Sequence, residues 1–141
     1  MSVYVDASVL VALFTNDALA HRADAFLRTQ SPVVIVSDFA SAEFASAISR
    51  HVRMRDIRSE DAHRVFASFD AWASRQAGRT LTTAADVGSA AAFLRRLDLP
   101  LRTPDALNIA IAQRVGADIL TFDKRMAQSA RVLGSTALTP V

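Results

Sequence analysis

A chain of 141 residues is long enough to bury one sizeable core, and at 51% hydrophobic and 21% charged it has the balance of a folded globular protein. It has no cysteine, which excludes disulfides, zinc–thiolate centres and thiol nucleophiles and is compatible with a reducing compartment. The formal net charge is +2, and every basic residue except Lys124 is an arginine. Arginine's planar fork suits phosphate, although base composition of a genome produces the same bias.

The N-terminal stretch MSVYVDASVLVALF has no basic leader, and Asp6 interrupts its apolar run well short of a bilayer span. A cytoplasmic protein without a membrane partner is expected. Residues 2–5, β-branched and aromatic, read as a strand ending on Asp6. Ser8 is placed to cap a helix over residues 9–14. Asn16-Asp17 breaks that helix and starts another over 18–28, with Leu19, Ala23, Phe26 and Leu27 inward. After the Ser31-Pro32 turn, the run 33–36 (three Val and one Ile) reads as a strand buried on both faces, as in parallel sheets.

Ser37-Asp38 leads into a helix over 39–52, with Asp38 as its expected cap and Ala40, Phe44, Ala47 and Ile48 as its apolar stripe. At about 100° per residue Glu43 falls just beside that stripe. Arg50, Arg53, Arg55 and Arg58 make a basic elbow. Ser59-Glu60-Asp61 opens a helix with Val65, Phe66, Phe69, Trp72 and Ala73 on one face. The chain is expected to turn near Gly78 and form a strand over 79–83, then a helix over 84–97. Thr103 reads as an N-cap, Pro104 as the first helical residue and Asp105 as a first-turn charge, with the helix ending at Gly116. Leu107 and Ile111 lie opposite Ile109, so this helix should be buried on more than one face. Asp118 reads as a turn residue before a strand over 119–122, which runs into Asp123. A helical turn or two over 124–130 and a last strand at 132–133 or 137–138 complete the chain. No repeat or linker interrupts it, so a single domain over residues 1–141 is expected. Strands alternating with helices indicate an α/β fold around a parallel sheet.

Ligands of open parallel sheets bind beyond the carboxyl ends of the strands. Asp6 and Asp123 follow strand ends, Glu43 lies a turn or so into the helix leaving the second strand, and Asp105 starts a helix that must approach the same edge. Gathered there, Asp6, Glu43, Asp105 and Asp123 would repel and raise one another's pKa values, so the cluster calls for a cation. Oxygen ligands without cysteine or a histidine pair suit Mg²⁺ or Mn²⁺. Singly, Asp105 is explained as a helix-start charge and Asp6 and Asp123 as turn residues; the set of four is not. Arg102, Lys124 and Arg125 flank the two C-terminal acids and are the phosphate contacts this reading selects, with ordinary solvated charge as the other explanation. His21, His51 and His63 fall among polar neighbours and are expected at the surface.

The ordered set Asp6-Ala-Ser8, Ser37-x5-Glu43, Thr103-Pro-Asp105-Ala-Leu and Thr121-Phe-Asp123 resembles the PIN-domain nucleases, specifically the bacterial VapC-type toxins, over nearly the whole chain. The resemblance implies a three-layer α/β/α fold with a central, mostly parallel sheet of four to five strands. It carries over Asp6, Glu43, Asp105 and Asp123 as an acidic quartet holding Mg²⁺ or Mn²⁺, with Ser8 and Thr121 supporting the pocket by hydrogen bonds and Asn108 lining it. It implies a metal-dependent endoribonuclease acting on RNA, restrained by a small cognate antitoxin, and commonly a homodimer. An apolar groove for that antitoxin is sought between the helices at 18–28 and 39–52, from Phe26, Leu27 and Phe44, with full burial of these residues in the core as the other and commoner outcome.

Other classes also fit parts of the pattern. A haloacid-dehalogenase-type phosphatase places Asp after its first strand but wants a second Asp where this chain has Ser8. A phosphoacceptor receiver domain needs a pocket lysine, for which Lys124 is the only candidate. A catalytically inactive PIN-like binding module predicts metal binding without turnover, or none. Dinucleotide binding is excluded because no Gly-x-Gly-x-x-Gly occurs.

Overall fold

The computed structural model describes residues 1–141. Its elements are β1 (Ser2–Val5), α1 (Ala7–Phe14), α2 (Ala20–Gln30), β2 (Val33–Ser37), α3 (Asp38–Arg53), α4 (Ser59–Gln76), β3 (Ala77–Thr80), α5 (Ala84–Arg95), α6 (Thr103–Val115), β4 (Asp118–Leu120), α7 (Lys124–Val132) and β5 (Ala137–Leu138). The strands form one sheet in the order β3-β2-β1-β4-β5, with every neighbouring pair parallel. The chain steps outward from β1 to β3, then returns to β4 on the other side of β1. Right-handed crossovers with that reversal place α1–α4 on one face and α5–α7 on the other. This is the three-layer α/β/α arrangement, with five strands. The reversal falls between β1 and β4, where an open sheet leaves a crevice beyond its carboxyl edge.

Val3, Tyr4 and Val5 are wholly buried, as the central strand of a sheet covered on both faces requires. On one side, Phe14 of α1, Phe44 of α3 and Phe69 and Trp72 of α4 pack edge-on or tilted, with ring centroids 4.8 Å apart for Phe44–Phe69 and 5.4 Å for Phe14–Trp72. Such pairs contribute about 0.5–1.5 kcal/mol each beyond their burial. On the other side, α6 is buried continuously from Ala106 to Ala112, the consequence of apolar residues all round it. Its end is a left-handed Gly116 (φ 69°), the conformation that glycine accepts without a Cβ penalty. Arg114 of α6 donates bonds of 2.8 and 3.0 Å to the buried carboxylate of Asp86 on α5. Burial alone would push the Asp86 carboxyl up, but the bonds from Arg114 and Thr83 hold it below the usual range.

Several local expectations are corrected. The α1 cap is Asp6, not Ser8: the carboxylate already accepts from the Val9 N–H at 3.2 Å, so the helix starts two residues earlier, at Ala7. Ser37 caps α3, while Asp38 accepts from the Thr82 N–H and hydroxyl and tethers the loop after β3. Thr103 lies inside α6 without capping it; Asp105 instead reaches back to the Arg102 N–H at 3.0 Å. α2 starts at Ala20, after Asp17 accepts from the Leu19 N–H. Gly78 marks no turn: α4 passes directly into β3, where Gly78 pairs with Ile35. β2 is not buried throughout, since Val33, its first residue, is exposed where β3 has not yet begun beside it. Asp118 is the first residue of β4, paired with Val3, and the last strand is at 137–138. His21 and His63 are exposed, as expected, whereas His51 is half-buried against Asp56.

Candidate active site

Parallel pairing sets Val5 against Leu120, so the next residues, Asp6 and Thr121, meet where the two strands end. The Thr121 hydroxyl donates to Asp6 Oδ2 at 2.5 Å, and the Ser8 hydroxyl donates to Asp6 Oδ1 at 2.6 Å. Each hydroxyl is itself oriented from the β4–α7 connection: Ser8 Oγ accepts from the Phe122 N–H at 3.0 Å, and Thr121 Oγ1 from the Asp123 N–H at 2.9 Å. Asp6 is 5% exposed, and burial pushes its carboxyl up to about 6 against these hydrogen bonds, with Asp123 adding repulsion. Ser8 and Thr121 thus hold both carboxylate oxygens of Asp6 by hydrogen bonds.

Asp123 caps α7, its Oδ1 accepting from the Arg125 and Met126 N–H groups at 3.0 and 3.1 Å, while Oδ2 has no partner in the chain. Glu43, half-buried on α3, accepts at Oε1 from the Asn108 amide at 2.7 Å. Burial raises its carboxyl, and Asp6 and Asp105 raise it further. Asp105 places one oxygen on the Arg102 N–H and leaves the other without a partner.

Asn108 is the junction of a buried polar relay. Its amide also donates to the Pro104 carbonyl at 3.0 Å, and its Oδ1 accepts from the Tyr4 hydroxyl at 2.5 Å. Because the single Tyr4 proton is committed there, Ser37 Oγ is the donor in the 2.6 Å bond to Tyr4 Oη, and Ser37 in turn accepts from the Ala40 N–H. The relay Ser37–Tyr4–Asn108–Glu43 therefore ties β1, β2, α6 and α3 together at the sheet's carboxyl edge. No buried side-chain nitrogen or oxygen anywhere in the molecule lacks a partner. Tyr4 and Ser37 were missed as polar supports because a tyrosine in an apolar strand reads as core; only the pairing of β1 with β2 brings them together.

Asp6, Glu43, Asp105 and Asp123 all line one cavity of about 550 Å³, together with Ser8 and Asn108. No three of the acids meet in a ready-formed ligand cluster; they stand around the cavity wall instead. Such an all-oxygen set, with an unpartnered oxygen on each of three acids, fits a hard, hydrated cation, since Mg²⁺ keeps several waters and needs only one or two carboxylates directly. Of the three basic residues expected at this edge, Arg102 lines the cavity, with its Nε 3.8 Å from Asp105 Oδ2. Lys124 and Arg125 are exposed and stand outside the cavity wall, because the first turn of α7 turns Met126 toward it in their place. Arg50 and Arg53 line the cavity instead. Their signal was helical spacing: Arg50 lies seven residues after Glu43, two turns along the same face of α3.

Phe44 does not join Phe26 and Leu27 in a surface groove between α2 and α3. Phe44 is buried at 1% exposure among the core aromatics. A groove of about 350 Å³ lies instead among α1, α2 and α4, floored by Leu13, Phe14, Leu27 and Trp72 and edged by Asp24, Arg28 and Gln76.

Comparison with known proteins agrees with this architecture. The family model described as PIN domain matches residues 3–132. Ribonuclease VapC46 of Mycobacterium tuberculosis is 29% identical, with 99% of this chain and 98% of the relative covered. Among solved structures, Mycobacterium tuberculosis VapC20, a Sarcin-Ricin loop cleaving toxin, superposes with a TM-score of 0.75 at 22% identity, covering 98% of this chain and 99% of that one. VapBC2 from Rickettsia felis, bound to a DNA fragment from its promoter, superposes with a TM-score of 0.75 at 12% identity, covering both chains fully. The phosphatase and receiver alternatives lose their footing: Ser8 serves Asp6 as a hydroxyl donor, and Lys124 stands outside the cavity.

Proposed function

Because the chain belongs to the PIN domain family, we propose that it is a metal-dependent endoribonuclease, a VapC-like toxin that hydrolyses RNA phosphodiester bonds at the acidic cavity. The observation that carries this reading is the convergence of Asp6, Glu43, Asp105 and Asp123, from four separate segments, on one cavity at the sheet's carboxyl edge. These four acids would hold Mg²⁺ or Mn²⁺. When bound, such an ion supplies Lewis acidity and neutralises charge at a scissile phosphate.

The chain's own residues do the rest. Ser8 and Thr121 hold both oxygens of Asp6 in one orientation and favour its ionised form against the cost of burial. Asn108 fixes Glu43 through Oε1 and leaves Oε2 available. Pro104 and the reach-back of Asp105 to the Arg102 N–H fix the start of α6, so that Asp105 stays at the cavity wall. Arg102 offers a guanidinium to substrate phosphate beside these acids. No histidine, serine or cysteine nucleophile is required.

The chain acts as one domain spanning residues 1–141, in the cytoplasm where RNA is available, and as a homodimer. No helix is long and apolar enough to cross a membrane. A small cognate antitoxin restrains it, and the apolar groove among α1, α2 and α4 is the surface available to an antitoxin segment. Incubating the purified protein with structured RNAs, with Mg²⁺ or Mn²⁺ and again with chelator, and mapping the cuts, tests the reading. Discrete cuts only with the cation support it; a protein that binds the ion and cuts nothing is the inactive module instead.

A further inference from the structure

Resting on the ribonuclease reading, we infer that the C-terminal half of α3 is a backbone track for the RNA strand, with Arg50 and Arg53 gripping phosphates on the Glu43 side of the cut. Both arginines line the cavity that the four acids share. Both are exposed, and neither takes part in any ion pair within the chain, whereas Arg58, Arg64, Arg96 and Arg114 are all paired. Arg53 is steadied by a single bond to the neighbouring Ser49 hydroxyl at 2.8 Å, which leaves most of its donors unused.

Helix geometry makes this a track and not a scattered charge. At a rise of about 1.5 Å per residue, Arg50 lies about 10 Å and Arg53 about 15 Å along α3 from Glu43. The cavity wall between Glu43 and Arg50 is Ser46 and Ala47, small side chains that leave the helix face open to a strand lying along it. Along α3 the cavity wall thus runs from the carboxylate of Glu43 to the guanidiniums of Arg50 and Arg53. A lone carboxylate cluster with a cation neutralises one phosphate; the next phosphates of the same strand need positive charge of their own, and the α3 arginines supply it farther along the same cavity wall. Contacts of this kind position the strand and carry no base information. Arg102 lines the same cavity beside Asp105 and adds a further guanidinium to it.

The test uses the full chain carrying Asp6→Asn, so that RNA is not consumed, with a short single-stranded RNA and a range of KCl concentrations. Each phosphate contact on a single strand contributes about 0.7 to the slope of log affinity against log salt. Adding Arg50→Gln and Arg53→Gln should weaken binding about ten-fold at low salt and reduce the slope by about 1.4. Arg75→Gln removes another exposed, unpaired charge at the end of α4, which enters the opposite edge of the sheet, and should leave the slope unchanged. Circular dichroism and Tm of these surface variants confirm folding. An unaltered slope in the double variant, or an equal loss in the Arg75 variant, overturns the track while leaving the ribonuclease reading intact. So does unchanged RNA affinity with weaker capture of a co-expressed partner, which would assign the strip to a protein. If the Asp6→Asn parent and the unsubstituted chain bind no RNA at any salt, the ribonuclease reading fails with it.

Discussion

At Asp6 a carboxyl raised to about 6, chiefly by burial, sits between two donating hydroxyls and the start of α1. In the metal-free protein the folded state therefore holds this proton more tightly than the unfolded chain. The stabilising effect of protonation is complete below about pH 4 and is lost as pH rises through about 6. Across that window the Asp6 contribution should fall by on the order of 2 to 3 kcal/mol. Comparing Tm against pH for the parent and Asp6→Asn isolates it: the variant's advantage should grow between pH 4 and 6 and then level off, and a constant difference would contradict this. The relay beside it is equally specific. Tyr4→Phe removes the only partner of Asn108 Oδ1, an orphaning that costs about 1–3 kcal/mol. It also loosens the amide that holds Glu43. Both Tm and the cleavage rate at saturating RNA should drop; a variant matching the parent in both would show that the relay positions nothing. The four acids were legible from sequence because each stands at a strand end, a helix start or beside an apolar stripe. Arg50 and Arg53 stand in sequence as part of a basic elbow, and only helical spacing, not sequence adjacency, puts them on the Glu43 side of α3.

The helices at the site do two things with the same side chains. Asp6 caps α1 and Asp123 caps α7, so each carboxylate both satisfies orphan N–H groups and faces the cavity. The two duties separate by substitution. Asp123→Asn keeps an oxygen for the Arg125 and Met126 N–H groups and should hold stability within about 0.5 kcal/mol, while Asp123→Ala should lose about 1 kcal/mol as a lost cap does. Both should lose cleavage. Denaturant midpoints measured beside activity check the split, and an Asn variant as unstable as the Ala variant would mean that the cap is not what holds α7. Caps were also where local reading slipped. Ser8 and Thr103 have the chemistry of caps, but Asp6 reaches the Val9 N–H from two residues earlier, and Asp105 satisfies the Arg102 N–H from inside α6. Several residues at one helix start can serve, and tertiary placement decides among them. Gly78 is a similar case: its neighbour strand β2 draws it into an edge strand, where no positive φ is needed.

Across the whole molecule, the sheet reversal between β1 and β4 makes the crevice, and two unlike helical layers hold it in shape. The α1–α3–α4 side depends on packed aromatics, so Phe44→Ala should cost about 3–5 kcal/mol without touching a cavity acid. The order of strands and helices and the parallel sheet were readable from short apolar runs separated by amphipathic helices. The apolar groove was not, because helix periodicity says which face is buried and not which neighbouring helix it meets; Phe44 went to the core and Leu27 to the α1–α4 side. The proposed cleavage requires the acids to act together with a divalent ion on RNA. The most direct measurement is the rate at which one structured RNA is cut by the parent, Asp6→Asn and Asp105→Asn, each in Mn²⁺, in Mg²⁺ and in chelator, with Tm recorded alongside. Cutting by the parent only with a cation, and at least about a hundred-fold slower in both folded variants, is the predicted result. Undiminished cutting in either variant, or in chelator, would contradict it.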